Sequence, residues 1–286
     1  MLLAKYVTNG ITNQLRQLPS PLQKNYVNTF YCAHSLSILP EGDVISKYCK
    51  NRWCLVCNRI KTGKLINNYM KSLNEIKDKW FVTLTIPNVY GCELSEAIKL
   101  MGYEFIKMKD SLRKEGIIIK GIRKLEVTYN IDRDDYHPHY HLILSEKTTA
   151  SAVVSSWLKR FKFMGISPAG QDMRPADERS FKEVFKYFTK LTTKKRFMNI
   201  EALDHIFVTL SGKRIFFTYK LKKEESVFEK KDIEESVTYW YDYNKYNWAN
   251  YEEELFVDMT KDEVVKAVDN LSRSTPLNFS RDNSFQ

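Results

Sequence analysis

The sequence predicts a mixed fold, α/β or α+β, in which one sheet is bordered by long helical connections. Three observations predict it. Four segments rich in β-branched and aromatic residues read as strands: "WFVTLTI" (80–86), "IRKLEVTYN" (122–130), "HYHLILS" (139–145) and "RIFFTYK" (214–220). Segments with helical spacing, 94–114, 149–163, 177–192 and 201–210, alternate with them. The link between the second and third strands, "IDRDDYHP", is dense in turn formers and points to an antiparallel hairpin.

Taken in order, the chain divides into three zones. Residues 1–78 hold four of the five cysteines and end in a helix whose apolar stripe is Leu65, Ile66, Tyr69, Met70, Leu73 and Ile76. Residues 79–223 carry the alternating strands and helices. Residues 224–286 are acidic and tyrosine-rich, and they end in "SRSTPLNFSRDNSFQ", too poor in apolar residues to fold. There is no internal repeat and no low-complexity linker.

Composition narrows the class. At 43% hydrophobic and 28% charged residues, the 286-residue chain reads as a soluble globular protein with a sizeable core. No apolar run approaches the ~20 residues of a membrane helix. The start, "MLLAKYVTNGITNQL", lacks the long apolar segment and cleavage site of a signal peptide, so a cytoplasmic location is expected. The net charge of +10 is unevenly spread. Residues 1–223 carry 38 basic and 20 acidic side chains, whereas 224–286 carry 7 and 15. A basic block of that kind suits a polyanion, nucleic acid first, and equally fits a solvated lysine-rich surface.

Cys32, Cys49, Cys54 and Cys57 follow the spacing C-x16-C-x4-C-x2-C. Thiolates two residues apart can chelate one tetrahedral ion from a tight turn, and two further sulfurs complete the site, so structural Zn²⁺ is expected. Disulfides do not fit a reducing compartment. His34 is an alternative to Cys32 as outer ligand. The flank "CKNRWCLVCNRIKTGK" is basic and can contact a phosphate backbone or simply pin the N-terminal zone. Cys92, alone after Gly91, reads as a loop or packing residue.

In "HPHYHLIL", His139 and His141 share one strand face, with Tyr140, Leu142 and Leu144 on the other. In the partner strand Leu125, Val127 and Tyr129 make the apolar face and Glu126 the opposite one. Pairing the two strands about "IDRDDYHP" brings the apolar faces together and sets Glu126 among the imidazoles, opposite His141 or its neighbour. Two histidines and a carboxylate with coordination positions left open make a divalent-metal site that can polarise a phosphoryl oxygen. His137, just before Pro138, is expected outside the regular strand. In the helix 177–192, Phe181, Val184, Phe185, Phe188 and Leu191 form the buried stripe, and Glu183, Tyr187, Lys190 and Lys194 follow on an adjacent face. A tyrosine between lysines can become a nucleophile toward phosphorus, although such a residue by itself is commonly only the boundary of an amphipathic helix.

Together these segments resemble the rolling-circle replication initiator (Rep) proteins of small bacterial plasmids, a branch of the HUH endonucleases. "HYH" matches the signature of two histidines about a hydrophobic residue. "FVTLT" is similar to the strand that precedes it, "LEVTYN…YHPHYHLIL" to the central hairpin, and "KYFTK" to the Y-x-x-K tyrosine motif. "CKNRWCLVC" and "SGKRIFF" resemble the cysteine-rich N-terminal segment and the closing strand of that branch. The resemblance covers about residues 30–220. It implies an α+β fold of HUH-nuclease type, an antiparallel central sheet flanked by helices, with a cysteine-rich zinc-binding segment before it. It implies Mg²⁺ or Mn²⁺ at His139 and His141, with Glu126 as third ligand. Tyr187 would attack a phosphodiester at the origin, leaving a 5′-phosphotyrosine bond and a 3′-OH primer. Lys190 would lower the phenol pKa or contact the phosphate, and Glu183, four residues before Tyr187, would activate the water that ends replication. The implied partners are single-stranded or cruciform origin DNA and the host helicase and polymerase, with no membrane. A single-tyrosine transposase or relaxase would use the same chemistry, and a zinc-bearing DNA-binding regulator with a degenerate nuclease fold would use none of it.

Overall fold

The computed structural model describes residues 2–38, 44–185, 192–193, 196–197, 199–224, 237–242 and 247–249. In chain order the helices are α1 (Leu2–Leu15), α2 (Gln23–Phe30), α3 (Leu55–Asn74), α4 (Gly91–Lys114), α5 (Lys147–Arg160), α6 (Glu178–Phe185) and α7 (Ile200–Leu210). The strands are β1 (Ser35–Ile38), β2 (Val44–Ser46), β3 (Lys79–Thr85), β4 (Gly121–Asn130), β5 (Asp135–Ser145), β6 (Asp172–Pro175), β7 (Thr192–Thr193), β8 (Arg196–Phe197), β9 (Phe216–Tyr219), β10 (Val237–Asp242) and β11 (Asn247–Ala249). The class is α+β, with antiparallel sheets and flanking helices. Two compact units form, each from discontinuous segments: Met1–Arg59 with Leu191–Asp204 and Phe228–Gln286, and Ile60–Lys190 with His205–Val227. Among the described residues, no helix is long and apolar enough to cross a membrane.

The second unit holds a five-stranded sheet in the order β6-β3-β5-β4-β9, antiparallel throughout. Period-2 alternation gives β5 its two faces. Tyr140, Leu142 and Leu144 join Val82, Leu84, Leu125 and Val127 on the face that meets the helices, all of them buried. Helix α4 supplies Leu94, Ile98, Met101, Phe105, Met108 and Leu112 to that core, and α5 supplies Val153 and Trp157. Tyr140 is the hinge of the packing, edge-on to Phe105 at 5.7 Å and to Trp157 at 5.9 Å. Each fully buried aromatic or large aliphatic side chain here stabilises the fold by roughly 1.5–3 kcal/mol. Arg123 also points into this core, where the rings of Phe105, Tyr140 and Phe217 enclose its guanidinium at 3.9–4.4 Å.

The expected strands and helices of this unit form close to their expected limits, and the shifts have local causes. Helix α4 starts three residues early because the Glu93 side chain accepts the Tyr90 N–H at 3.0 Å, one half of a capping box. Helix α7 starts at Ile200 because the Asn199 side chain accepts the N–H groups of Glu201 and Ala202. Strand β5 starts four residues early, at Asp135, so His137 lies within the strand, opposite Thr128, and not outside it. Pro138 is tolerated there because β3 stops pairing at Thr85, opposite His139. Residues 186–191 of the expected helix 177–192 lie outside the described residues, as do Lys194 and the tail "SRSTPLNFSRDNSFQ".

The first unit was less foreseeable. Its four-stranded sheet, β11-β10-β1-β2, pairs Ser35–Ile38 with Val237–Trp240, about 200 residues away. Helices α1 and α2 precede this sheet in the chain; Cys32 lies between α2 and β1, Cys49 and Cys54 between β2 and α3, and Cys57 in the first turn of α3.

One backbone position in the second unit admits no side chain. Gly121, the first residue of β4, has φ +147°, and an added Cβ would lie 1.9 Å from the Ile143 carbonyl oxygen. Gly121→Ala is expected to lower stability by about 3 kcal/mol in urea unfolding, because the fixed backbone of β5 cannot yield. An unchanged midpoint would refute this close approach of β4 to β5.

Candidate functional site

The site grows from the β4–β5 hairpin. Asn130 accepts the Asp132 N–H at 3.0 Å, and Asp134 takes a left-handed φ of +52°, so the chain reverses over residues 131–134. Tyr129 ties the same turn by donating to Asp134 at 2.7 Å. The register that follows sets Glu126 opposite His139 and Lys124 opposite His141. On the other side of β5, Thr83 lies opposite His141 and Thr85 opposite His139. Cross-strand partners share a face, so Glu126, His139, His141 and Lys124 converge away from the α4–α5 core.

The three ligand-type side chains all come together. One donor atom from each of Glu126, His139 and His141 falls within 4.8 Å of the others. The two Nε2 atoms are 3.2 Å apart, and His141 Nε2 is 3.8 Å from Glu126 Oε2. Both rings are turned by their other nitrogen: His139 Nδ1 donates to the His137 carbonyl at 3.0 Å, and His141 Nδ1 meets the Thr83 hydroxyl at 3.2 Å. This pattern reserves Nε2 of each ring for an ion. Phe81 stacks on the His141 ring at 5.4 Å and closes that side with apolar surface.

The charge states match the geometry. Burial, helped by the neighbouring His141, pushes His139 down to about 3, against the opposing pull of Glu126, so the imidazole is neutral near pH 7. For Glu126, burial would raise the carboxyl. The Lys124 ammonium and the two imidazoles outweigh it and hold Glu126 at about 2, ionised. Two imidazoles and a carboxylate are the donor set of a divalent cation such as Mg²⁺ or Mn²⁺, and these residues fit one.

Glu183 of α6 joins the group from the neighbouring helix, its Oε1 3.9 Å from His141 Nε2. Tyr187 and Lys190, the other two residues expected at the site, lie outside the described residues. His137 stacks on His139 at 5.0 Å and bonds Asn88 at 2.9 Å. Lys124 is the residue that motif reading passed over. It is 2% exposed and binds Glu126 Oε2 at 2.8 Å and the Glu183 carbonyl oxygen at 2.9 Å. Its signal was present, since the alternation that puts Glu126 on the histidine face puts Lys124 there too.

A second group forms in the first unit. The sulfurs of Cys32, Cys49, Cys54 and Cys57 lie within 4.8 Å of one another, with Cys32–Cys57 at 3.5 Å and Cys49–Cys57 and Cys32–Cys54 at 3.6 Å. A Zn–S bond of 2.3 Å implies a tetrahedral edge of about 3.8 Å, so the cage fits zinc. Backbone N–H groups of Cys49 and Lys50 point at the Cys32 and Cys57 sulfurs, each at 3.3 Å. Hydrogen bonding with Cys32 draws the Cys49 and Cys57 thiols down and pushes Cys54 up. A divalent ion would take the place of those shared protons. Lys5, fully buried, donates to the Phe30 and Cys32 carbonyls at 2.7 and 2.5 Å, and burial brings it down to about 8 against the pull of the sulfurs. His34 is no member of the cluster; its ring packs against Tyr31 and Trp240. Cys92 is exposed and apart.

Comparison with known proteins agrees with the motifs. Residues 44–159 match the family model described as replication protein. A "Protein rep" of Staphylococcus aureus is 44% identical over 104 residues, covering 34% of this chain and 44% of the relative. One of Streptococcus pneumoniae serotype 2 is 31% identical over 108 residues, covering 36% and 34%. One of Bacillus amyloliquefaciens is 31% identical over 127 residues, covering 41% and 38%. The chain thus spans less than half the length of these curated relatives. No solved structure matches. The likeness to Rep replication proteins is borne out over a segment that contains Cys49, Cys54, Cys57, Glu126, His139 and His141 and ends before Glu183 and Tyr187.

Two outcomes follow from this geometry. The His139 pKa of about 3 lies below its ordinary 6.5, so the unfolded chain binds more protons between those values. That contribution to stability is complete above pH 6.5 and disappears as pH falls towards 3, with Glu126 adding a loss between 4.5 and 2. In buffer free of divalent ions, thermal melting is therefore expected to fall more steeply on acidification in the wild-type chain than in His139→Gln; parallel curves would contradict it. At the cysteine cage, Cys54→Ser and Cys57→Ser are each expected to abolish bound zinc, measured by elemental analysis of the purified protein, and zinc retained at one ion per chain in both would exclude the assignment.

Proposed function

We propose that this chain is a replication initiator that nicks one strand at a plasmid or small-phage origin and rejoins the ends, with an HUH-type nuclease sheet as its scaffold. The observation that carries the reading is the convergence of Glu126, His139 and His141 inside the segment that matches replication proteins. Glu126, His139 and His141 would hold Mg²⁺ or Mn²⁺, which when bound supplies charge neutralisation and in-line orientation at a scissile phosphate.

The chain's own residues do the rest. The Tyr187 phenol oxygen bonds to phosphorus, the P–O3′ bond breaks, and the departing oxygen takes a proton to become the 3′-OH primer. The phenol proton passes to solvent, and Lys190, three residues further along the sequence, would ease its loss. The product is a 5′-phosphotyrosine that a later 3′-OH reverses, restoring the phosphodiester and the phenol. Glu183 would accept a proton from the water that hydrolyses the last such bond, a reading its 3.9 Å separation from His141 supports. The imidazoles are buried and their orientations are held through Nδ1 by the His137 carbonyl and the Thr83 hydroxyl, so little reorganisation accompanies the reaction. The cysteine cage with zinc would hold the basic "CKNRWCLVCNRIKTGK" segment, a loop running into the start of α3, in one shape against the DNA backbone. Single-stranded or cruciform origin DNA is the substrate, and host helicase and polymerase are the partners that extend the primer.

The full chain, Mn²⁺ and single-stranded DNA carrying the origin of its replicon are expected to give a denaturant-resistant covalent adduct. Tyr187→Phe and chelation should each remove at least 99% of it, about 10²-fold. An adduct that persists in Tyr187→Phe would end the assignment of the nucleophile. DNA binding without an adduct under any metal would point instead to a non-catalytic regulator.

A further inference from the structure

We propose that Lys124 is a positioning residue that locks helix α6 to the carboxylate of the Glu126–His139–His141 group, so that metal binding is transmitted to the helix that leads to Tyr187. The proposal rests on the reading of Tyr187 as the nucleophile.

Lys124 is buried beneath the sheet's histidine face, at 2% exposure, in a place where lysine occurs only when paired. Its two bonds go to different elements. One reaches Glu126 Oε2 at 2.8 Å, on its own strand. The other reaches the Glu183 main-chain carbonyl at 2.9 Å, in α6. Because that acceptor is backbone, the bond holds the helix itself and not a side chain. Tyr187 follows Glu183 by four residues in the sequence. Two other bonds hold α6 near its ends, Arg174 to Ser180 at 3.0 Å and Thr62 to the Phe185 carbonyl at 3.2 Å, but neither involves a ligand residue. Of these three bonds the one from the Lys124 ammonium reaches the ligand group, and it holds α6 by its main chain, whereas the Glu183 side chain meets His141 only at 3.9 Å. A divalent ion and Lys124 would draw on the same Glu126 carboxylate, so a change at one is felt at the other. Among the described residues, the ammonium pairs with Glu126, and the titratable groups gathered about that carboxylate are His139 and His141 on the hairpin and Glu183 on α6.

If Lys124 only filled space, an apolar chain of the same length would serve as well. Lys124→Met in the full chain separates the possibilities. Three quantities are compared with wild type: Mn²⁺ affinity by electron paramagnetic resonance, the single-turnover rate of the Tyr187 adduct on single-stranded origin DNA, and hydrogen exchange of the amides of 178–185. The expected result is Mn²⁺ affinity retained or tightened, the adduct rate down about tenfold and exchange in α6 up about tenfold. Wild-type rate and exchange in the variant would overturn the proposal. So would lost Mn²⁺ affinity with α6 exchange unchanged, which would make Lys124 part of the metal pocket alone. Should Lys124→Met fail to fold, Lys124→Met/Glu126→Gln is compared with Glu126→Gln, removing the buried charges together; faster α6 exchange in the double variant supports the lock, and equal exchange overturns it. A wild-type chain that forms no adduct refutes the nuclease reading instead, and the exchange comparison then decides the lock without DNA.

Discussion

The register of the β4–β5 hairpin is the constraint on which the functional face depends. A strand has a period of two, so a slip of one residue would turn Glu126 and Lys124 into the aromatic core and bring Leu125 and Val127 out beside the histidines. The turn at residues 131–134 prevents this locally, through Asn130, the left-handed Asp134 and the Tyr129 hydroxyl. The core prevents it globally, because Tyr140 fits between Phe105 and Trp157 only when it faces α4 and α5. Ligand convergence and core packing are therefore two readings of one registration.

Burial on the histidine face then sets the chemistry. Removing His139 from water disfavours its cation and leaves the basic nitrogen open to an ion. The same burial would favour a protonated Glu126, and the Lys124 ammonium is the foremost group that keeps the carboxylate charged. A buried pair of this kind adds little net stability against an apolar replacement, since desolvation offsets the attraction. Its retention in a packed sheet makes sense when the carboxylate has work to do.

The cysteine cage follows the same rule in a different unit. Four sulfurs packed at 3.5–3.6 Å cannot all ionise without a compensating charge. Lys5, reaching in from α1, provides one such charge and fixes the carbonyls around Cys32. In each of the two groups, anionic ligands are kept available by a lysine taken out of solvent, and in each case that lysine stands outside the recognisable motif.

Local chemistry made much of this legible in the sequence. Alternation in "KLEVTYN" and "HYHLILS" specified the faces, the turn formers between them specified a hairpin, and CxxC spacing marked a metal cage, because each depends on residues close in the chain. The likeness to replication proteins was legible for the same reason, as four short motifs in order. What required the tertiary structure was everything that depends on distant segments meeting. The pairing of β1 with β10 joins residues about 200 apart and leaves no local trace. Assigning Cys32 over His34 needed the path of the chain between α2 and β1. The bond from Lys124 to the Glu183 carbonyl of α6 depends on the tertiary structure, because a hydrogen bond to main chain has no sequence signature. The sequence by itself determined which groups face together on each element, since that follows from backbone period; the tertiary structure alone decided which elements touch, since that follows from packing across the whole chain.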